Sequence, residues 1–277
     1  MAVALVTGGT SGIGAEFARQ LAHQGYDLVL VARDEARLAS MATELAARGR
    51  AVEVLVADLA SREDVQRVAE RLEDPARPVD LLVNNAGFGM HVPLTSPDVA
   101  AHDRGFEVMC RAVLVLSGAA ARSMRARGHG RIVNVSSTAG LLAMGTYSAI
   151  KSWVTSFSEG LSVELRGTGV TVTALLPGWV RTEFHQRASI GTSKIPNSLW
   201  LGTEELVSAC LRDVEKGKVI SVPTIRYKAL VGLLRHAPKA AVRAVSAAIS
   251  SSRSSESAGH EPGAPVGSAG DAHQAGS

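Results

Sequence analysis

The stretch AVALVTGGTSGIG, residues 2–14, decides the fold of this chain. An apolar, partly β-branched run ends in glycines, and GIGAEFARQLAHQG (12–25) then carries apolar residues at spacings of three and four. The order reads as a buried strand, a tight turn and an amphipathic helix. Backbone at such a turn can approach a pyrophosphate only where Cβ atoms are absent, and the helix that follows offers unpaired N–H groups with a partial positive charge.

Working outward, the same alternation recurs. DLVLVA (27–32), AVEVLVA (51–57), VDLLVN (79–84), RIVNVS (131–136), VTVTALL (170–176) and KVISV (218–222) read as further strands, giving seven with 2–7. Amphipathic stretches such as EARLASMATELAARG (35–49) lie between them. Strand–helix repetition implies a parallel sheet with helices on both faces, and near-continuous apolar strands fit a sheet covered on both sides. The expected fold is α/β, a Rossmann-type doubly wound parallel sheet of about seven strands in a single domain.

Composition sets the outer limits. With 277 residues, 46% hydrophobic and 20% charged, the chain has ample material for one core. Cys110 and Cys210 sit in apolar helical patterns without CxxC or Cys/His spacing, so they read as buried free thiols, with no metal site implied. The N-terminus lacks a basic n-region and no apolar run reaches a membrane-spanning length, so the expectation is a cytoplasmic protein. Residues 212–243 hold eight Lys/Arg against two Asp/Glu within a chain of net charge +3, so the remainder is net acidic. That basic region reads first as a solvated helix face; it lacks the interleaved aromatics that nucleic-acid binding uses, and membrane-surface contact is possible but not favoured.

Several motifs fall in order along this frame. The glycine turn has the form TGxxxGxG, with Gly8, Gly12 and Gly14; Asn84-Asn85-Ala86-Gly87 follows the fourth strand, Asp58 the third and Pro177-Gly178 the sixth. On these motifs the chain resembles the short-chain dehydrogenase/reductase family over roughly residues 3–222. The resemblance implies cofactor contacts from Gly8, Thr10, Ser11, Gly12, Ile13 and Gly14 in the turn and from Asp58 and Leu59 after the third strand. It also assigns them to Asn85, Ala86 and Gly87, and to Pro177, Gly178, Val180 and Thr182. Charge at the end of the second strand selects the cofactor: Ala32 stands where an acid would bind the ribose 2′-OH of NAD, and Arg33 follows, so NADP(H) is expected despite the adjacent Asp34.

STAGLLAMGTYSAIK (137–151) follows the fifth strand, on the edge where such sheets bind ligands. The resemblance makes Ser137, Tyr147 and Lys151 catalytic, with Tyr147 and Lys151 also touching the cofactor. The chemistry needs these types: a carbonyl oxygen gaining charge requires a nearby proton donor, and a lysine cation one helical turn from a tyrosine, together with the positive nicotinamide of the oxidised cofactor, is expected to lower its pKa. Two departures stand out. The Ser137-to-Tyr147 connection is about three residues shorter than is usual in the family, so Ser136 is a candidate to share the serine's role, although SSTAG aligns better through Ser137. Met109 occupies the position where the family often has an asparagine that holds a proton-relaying water.

The implied function is an NADP(H)-dependent oxidoreductase acting on a small-molecule carbonyl or alcohol. Trp179, Phe184, Ile190, Leu199 and Trp200, in and beside the stretch 183–202, point to a lipophilic pocket. Rival readings are a catalytically silent nucleotide-binding protein, motivated by Met109, and a peripheral membrane protein. The chain divides into a catalytic domain (1–225), an amphipathic basic helix region (226–249) broken at Pro238, and a disordered tail (250–277). Family resemblance adds a homodimer or homotetramer built through long helices near 98–127 and 147–167.

Overall fold

The computed structural model describes residues 1–90, 92–180 and 200–247. Seven strands form one parallel sheet: β1 (Val3–Thr7), β2 (Asp27–Ala32), β3 (Val52–Val56), β4 (Leu81–Asn84), β5 (Gly130–Val135), β6 (Val170–Leu175) and, past a separate pair, β9 (Ile220–Ser221). Their spatial order is β3-β2-β1-β4-β5-β6-β9. β1 lies between β2 and β4, with Ala4 beside both Leu28 and Leu81, and here the chain's direction of travel across the sheet reverses. A crevice opens at that reversal, above the carboxyl ends of the strands.

The central strands are apolar on both faces because both are covered, whereas the edge strand β3 leaves Val54 and Val56 exposed. Leu28 and Leu30 point into a core completed by Phe17 and Leu21 of α1 (Gly12–His23), Leu38 and Leu45 of α2 (Glu35–Ala46), and Leu206 and Val207 of the later helix Thr203–Glu215. Val29 and Val31 point the other way, toward α3 (Arg62–Glu73), α5 (Ala112–Arg127) and α6 (Gly145–Glu164). The helix expected near 98–127 is not uniform. α4 (Ala100–Phe106) passes through a π-helical turn at Glu107–Arg111 before α5 begins, and Met109 and Cys110 lie in that wide turn.

Thr203–Glu215 is α7, and Ile225–His236 is α8. α8 buries Tyr227 and Val231 in the first core, the chain breaks at Ala237 and Pro238, and residues 239–247 are helical again. The expected tail, 250–277, lies outside the described residues. Among the described residues no helix is long and apolar enough to cross a membrane.

A second, two-stranded sheet, β7 (Trp179–Val180) with β8 (Trp200–Leu201), was not legible in the sequence. Its register pairs Trp179 with Trp200, their ring centroids 6.1 Å apart. β9 is shorter than KVISV: Ile220 and Ser221 pair in register with Ala174 and Leu175 of β6, while Val219 O accepts from Ala174 N at 2.7 Å just before it.

One polar network crosses the apolar layer beneath α5 and α6. Asn84 Nδ2 donates to Ser117 Oγ (3.0 Å) and to Asn134 Oδ1 (2.9 Å), and Asn134 Nδ2 donates to Ser158 Oγ (3.0 Å), all four residues being buried. It fixes β4 and β5 against both helices, and so aims the loops at their ends. Asn134→Leu leaves buried donors and acceptors unpaired and is expected to cost about 3 kcal/mol. Urea unfolding of the variant beside wild type measures this, and an unchanged midpoint contradicts it.

Candidate active site

The glycine turn and the Asn85 segment are built against each other. Gly8 leaves β1 with φ +65°, and its N–H donates to Val31 O at 2.7 Å. A side chain on Gly14 would run into the Gly8 carbonyl oxygen and the Asn85 amide, so the turn has no room for a Cβ there. Asn85 Nδ2 donates to Thr7 O (3.0 Å) and Gly8 O (3.3 Å), while Thr7 Oγ1 accepts from the N–H groups of Asn85 (3.0 Å) and Ala86 (3.1 Å). Thr7, unremarked in the sequence, thus joins the two strand ends that flank the crevice.

Ser11 precedes α1 in an extended conformation and makes no capping bond, and the first turn, with Gly12, Ile13 and Gly14, carries no acidic residue. Such a terminus keeps unsatisfied N–H groups and positive potential facing outward, beside Thr10. A glycine-lined turn with an uncapped helix start fits the diphosphate of a dinucleotide. At the ends of β2 and β3, Arg33 is exposed and Leu59 is buried. Asp34 caps α2 by accepting from Arg37 N (3.0 Å) and pairs with the Arg37 guanidinium (3.3 Å). Asp58 receives Arg104 Nη2 at 2.9 Å and 3.1 Å and Ala60 N at 3.0 Å. Burial opposes ionisation of Asp58, but the Ala60 and Arg104 hydrogen bonds outweigh it and hold the carboxyl below its usual range.

The three residues assigned to chemistry come together. Ser137 hydrogen-bonds the Tyr147 phenol, and Lys151 Nζ lies 5.7 Å from the centre of the Tyr147 ring. Lys151 is 5% exposed and donates to Val135 O at 2.9 Å. A Cβ on Gly87 would sit 3.7 Å from Lys151 Nζ and 3.2 Å from Met109 Sδ, so the Asn85–Gly87 segment borders the lysine. Met109, itself buried, borders the same Gly87 backbone as Lys151.

Ser136 does not share the role of Ser137. It is buried, donating to Lys151 O (2.6 Å) and paired with Thr155 Oγ1 (2.7 Å), so it braces α6 from beneath. The short connection from Ser137 to Tyr147 closes by a 3₁₀ turn, Thr138–Leu141, in which a Cβ on Gly140 would come within 2.7 Å of Ser152 N and 2.8 Å of the Lys151 carbonyl carbon. Glycine lets the loop lie flush on α6 and dispense with length. Thr138 N donates to Pro177 O at 2.9 Å, tying the loop to the Pro177-Gly178 turn. That turn is backed by Tyr227: its ring packs on Gly178 and its hydroxyl accepts from Trp179 N at 2.9 Å. Val180 is buried in the core beyond. Thr182, Phe184, Ile190 and Leu199 lie outside the described residues.

Burial governs the electrostatics of the pair. It pushes the Tyr147 phenol up to about 12, with the Ser137 hydrogen bond offsetting only part of it. The same burial drives the Lys151 amine down to about 8, with the Cys110 sulfur opposing that fall. Cys210 is buried as expected, whereas Cys110 is only partly covered; burial nevertheless raises its thiol to about 11.

The sequence also missed a buried imidazole, His102, beside Thr146, and a bond from Ala143 N to Ser246 Oγ at 2.9 Å that brings residues 239–247 onto the loop before Tyr147. No local motif marks either contact, since their partners lie 44 and 103 residues away.

Comparison with known proteins agrees with this geometry. The family model for short chain dehydrogenase matches residues 2–191. A short-chain dehydrogenase from Sphingobium yanoikuyae in complex with NADPH superposes with a TM-score of 0.78 at 35% identity, covering 85% of this chain and 94% of that one. The bulky-bulky ketone specific alcohol dehydrogenase from Comamonas testosteroni gives 0.73 at 30% identity, covering 87% and 96%. A family member from Burkholderia phymatum in complex with NAD gives 0.74 at 28% identity, covering 84% and 92%. With the sheet order, the glycine turn and the Ser137–Tyr147–Lys151 cluster all in place, the chain belongs to the short-chain dehydrogenase/reductase family of oxidoreductases.

Proposed function

We propose that the protein is an NADP(H)-dependent oxidoreductase that interconverts a carbonyl and a secondary alcohol on a lipophilic small molecule. The observation that carries this reading is the meeting of Ser137, Tyr147 and Lys151 beside Gly87, at the crevice that the glycine turn opens. When bound, the nicotinamide supplies or accepts the hydride. Residues Gly8–Gly14 hold the diphosphate by backbone N–H groups, and Asn85, Ala86 and Gly87 line the path to Lys151. In the reducing direction Ser137 donates a hydrogen bond to the substrate oxygen and Tyr147 gives it a proton. Lys151 holds a positive charge next to the phenol, which favours the phenolate that proton loss leaves behind.

The NADP(H) preference rests on exposed Arg33 at the end of β2, where it can meet a 2′-phosphate with charge-assisted bonds. Asp34 does not oppose it strongly, since its carboxylate already caps α2 and pairs with Arg37. The lipophilic substrate rests on Trp179 and Trp200, which stand together at the two ends of residues 181–199. Exposed Phe106, Leu114 and Val163 on α4–α6 support assembly of two or four copies through those helices. The rival reading, nucleotide binding without turnover, keeps one specific support: Met109 beside Lys151 offers a thioether where a water could otherwise be held.

Fluorescence titration should give tighter binding of NADPH than of NADH, and Arg33→Ala should weaken NADPH about tenfold while changing NADH little. Equal or tighter NADH binding by the wild type refutes the cofactor assignment. NADPH oxidation against a panel of bulky ketones should reveal turnover that Tyr147→Phe abolishes while NADPH still binds; a variant that keeps turnover refutes the proton-donor role. For the wild type, kcat/KM for reduction should be level below about pH 8 and fall above it, because the useful form of Lys151 is the cation and burial places its loss near 8. A plateau extending to pH 10 contradicts this. Light scattering should give a multiple of the single-chain 28.9 kDa, and the single-chain mass itself would exclude the assembly.

A further inference from the structure

Tyr147 occupies the first turn of α6, and that turn has no local cap. Its N-cap residue is Met144, which offers no side-chain acceptor, and Gly145 follows at φ +75°. Helix starts without caps fray, since their leading N–H groups have no partner within the helix. Thr146 is well placed to act locally, yet its hydroxyl is turned away into a tertiary contact. Thr146 Oγ1 lies 2.9 Å from His102 Nδ1, and both residues are buried. The other ring nitrogen, His102 Nε2, lies 3.3 Å from Pro93 O, in the segment that follows the Asn85–Gly87 motif.

These two contacts fix the tautomer. A carbonyl only accepts, so Nε2 is the nitrogen that donates, to Pro93 O, and in that tautomer Nδ1 accepts from the Thr146 hydroxyl. One imidazole on α4 therefore spans from the segment at Pro93 to the turn that presents Tyr147. α4 is anchored independently at the opposite side of the site, because Arg104 is bound to Asp58 at the end of β3.

Building on the proton-donor reading of Tyr147, we propose that His102 is a positioning residue: its bond to Thr146 holds the uncapped first turn of α6, and hence the Tyr147 hydroxyl, at its working distance from Ser137 and the substrate. His102 touches neither substrate nor cofactor in this role. Small displacements of a proton donor cost rate steeply, and ground-state binding of the dinucleotide elsewhere in the crevice should be unaffected.

Four variants of the full chain test it. His102→Phe keeps the bulk and loses both bonds; Thr146→Val keeps the shape at the other end and loses one. His102→Asn keeps an acceptor near the Nδ1 position, and His102→Gln keeps a donor near the Nε2 position. Hydrogen exchange of peptides spanning 143–150 should quicken at least about tenfold in His102→Phe, His102→Gln and Thr146→Val, and return to within about threefold of wild type in His102→Asn. With the ketone found by the panel above, kcat should fall about tenfold in the first three and recover in His102→Asn, while the NADPH dissociation constant stays within about twofold throughout. The His102→Phe/Thr146→Val double variant should be no worse than either alone, as expected of two ends of one bond. Wild-type exchange in His102→Phe, failure of His102→Asn to recover, or additive losses in the double variant overturns the proposal. With Tyr147→Phe inactive and His102→Phe at wild-type kcat, only the positioning role falls; an active Tyr147→Phe removes the reading on which it rests.

Discussion

The junction of Thr7 with Asn85 and Ala86 is the constraint on which the site depends. In a doubly wound sheet the connections that leave two adjacent strands run to opposite faces where the order reverses, and here those strands are β1 and β4. That separation creates room for a ligand but leaves two strand ends whose backbone groups lack ladder partners. Thr7 and Asn85 satisfy those groups with side chains, so the crevice is held open by bonds rather than filled. Gly8 and Gly14 then allow the turn to seat on Asn85 without a Cβ between them. The glycine turn is thus tied to the Asn85 segment by both side-chain bonds and close backbone contact.

The chemical side is held differently. α6 is long enough to be secure through its middle, where Ile150 lies in the core and Ser158 joins the asparagine network. Its start, which carries Tyr147, relies on contacts from elsewhere: Gly140 flush on the Lys151–Ser152 backbone, Ser246 on Ala143, and His102 on Thr146. Lys151 donates to the Val135 carbonyl, and burial lowers its proton affinity while burial of Tyr147 raises that of the phenol. Burial therefore works against the ionised form of both groups in the protein alone.

Legibility in the sequence followed the range of the interactions. The seven strands were visible because each is a run whose alternate residues are apolar on both faces, and the glycine turn because close approach admits few residue types. Ser137, Tyr147 and Lys151 were legible by motif, and Met109 by spacing. The π turn at Glu107–Arg111 was hidden because one extra residue in a helical turn hardly changes an apolar pattern. Partial exposure of Cys110, the pairing of Trp179 with Trp200, and the bracing role of Ser136 were hidden because each depends on which distant residue arrives alongside.

By itself, the sequence determined the alternation of strands and helices and hence the layers, the place of the glycine turn, and the Ser137, Tyr147 and Lys151 residues that the fold brings together. Local periodicity and backbone sterics suffice for those, since they act over a few residues. Only the tertiary structure decided that Ser137 rather than Ser136 faces Tyr147, that a shortened loop still closes, and that burial raises the phenol's proton affinity. Each of these turns on desolvation and on contacts across tens of residues in the chain, which are set when α6 packs onto β5 and not before.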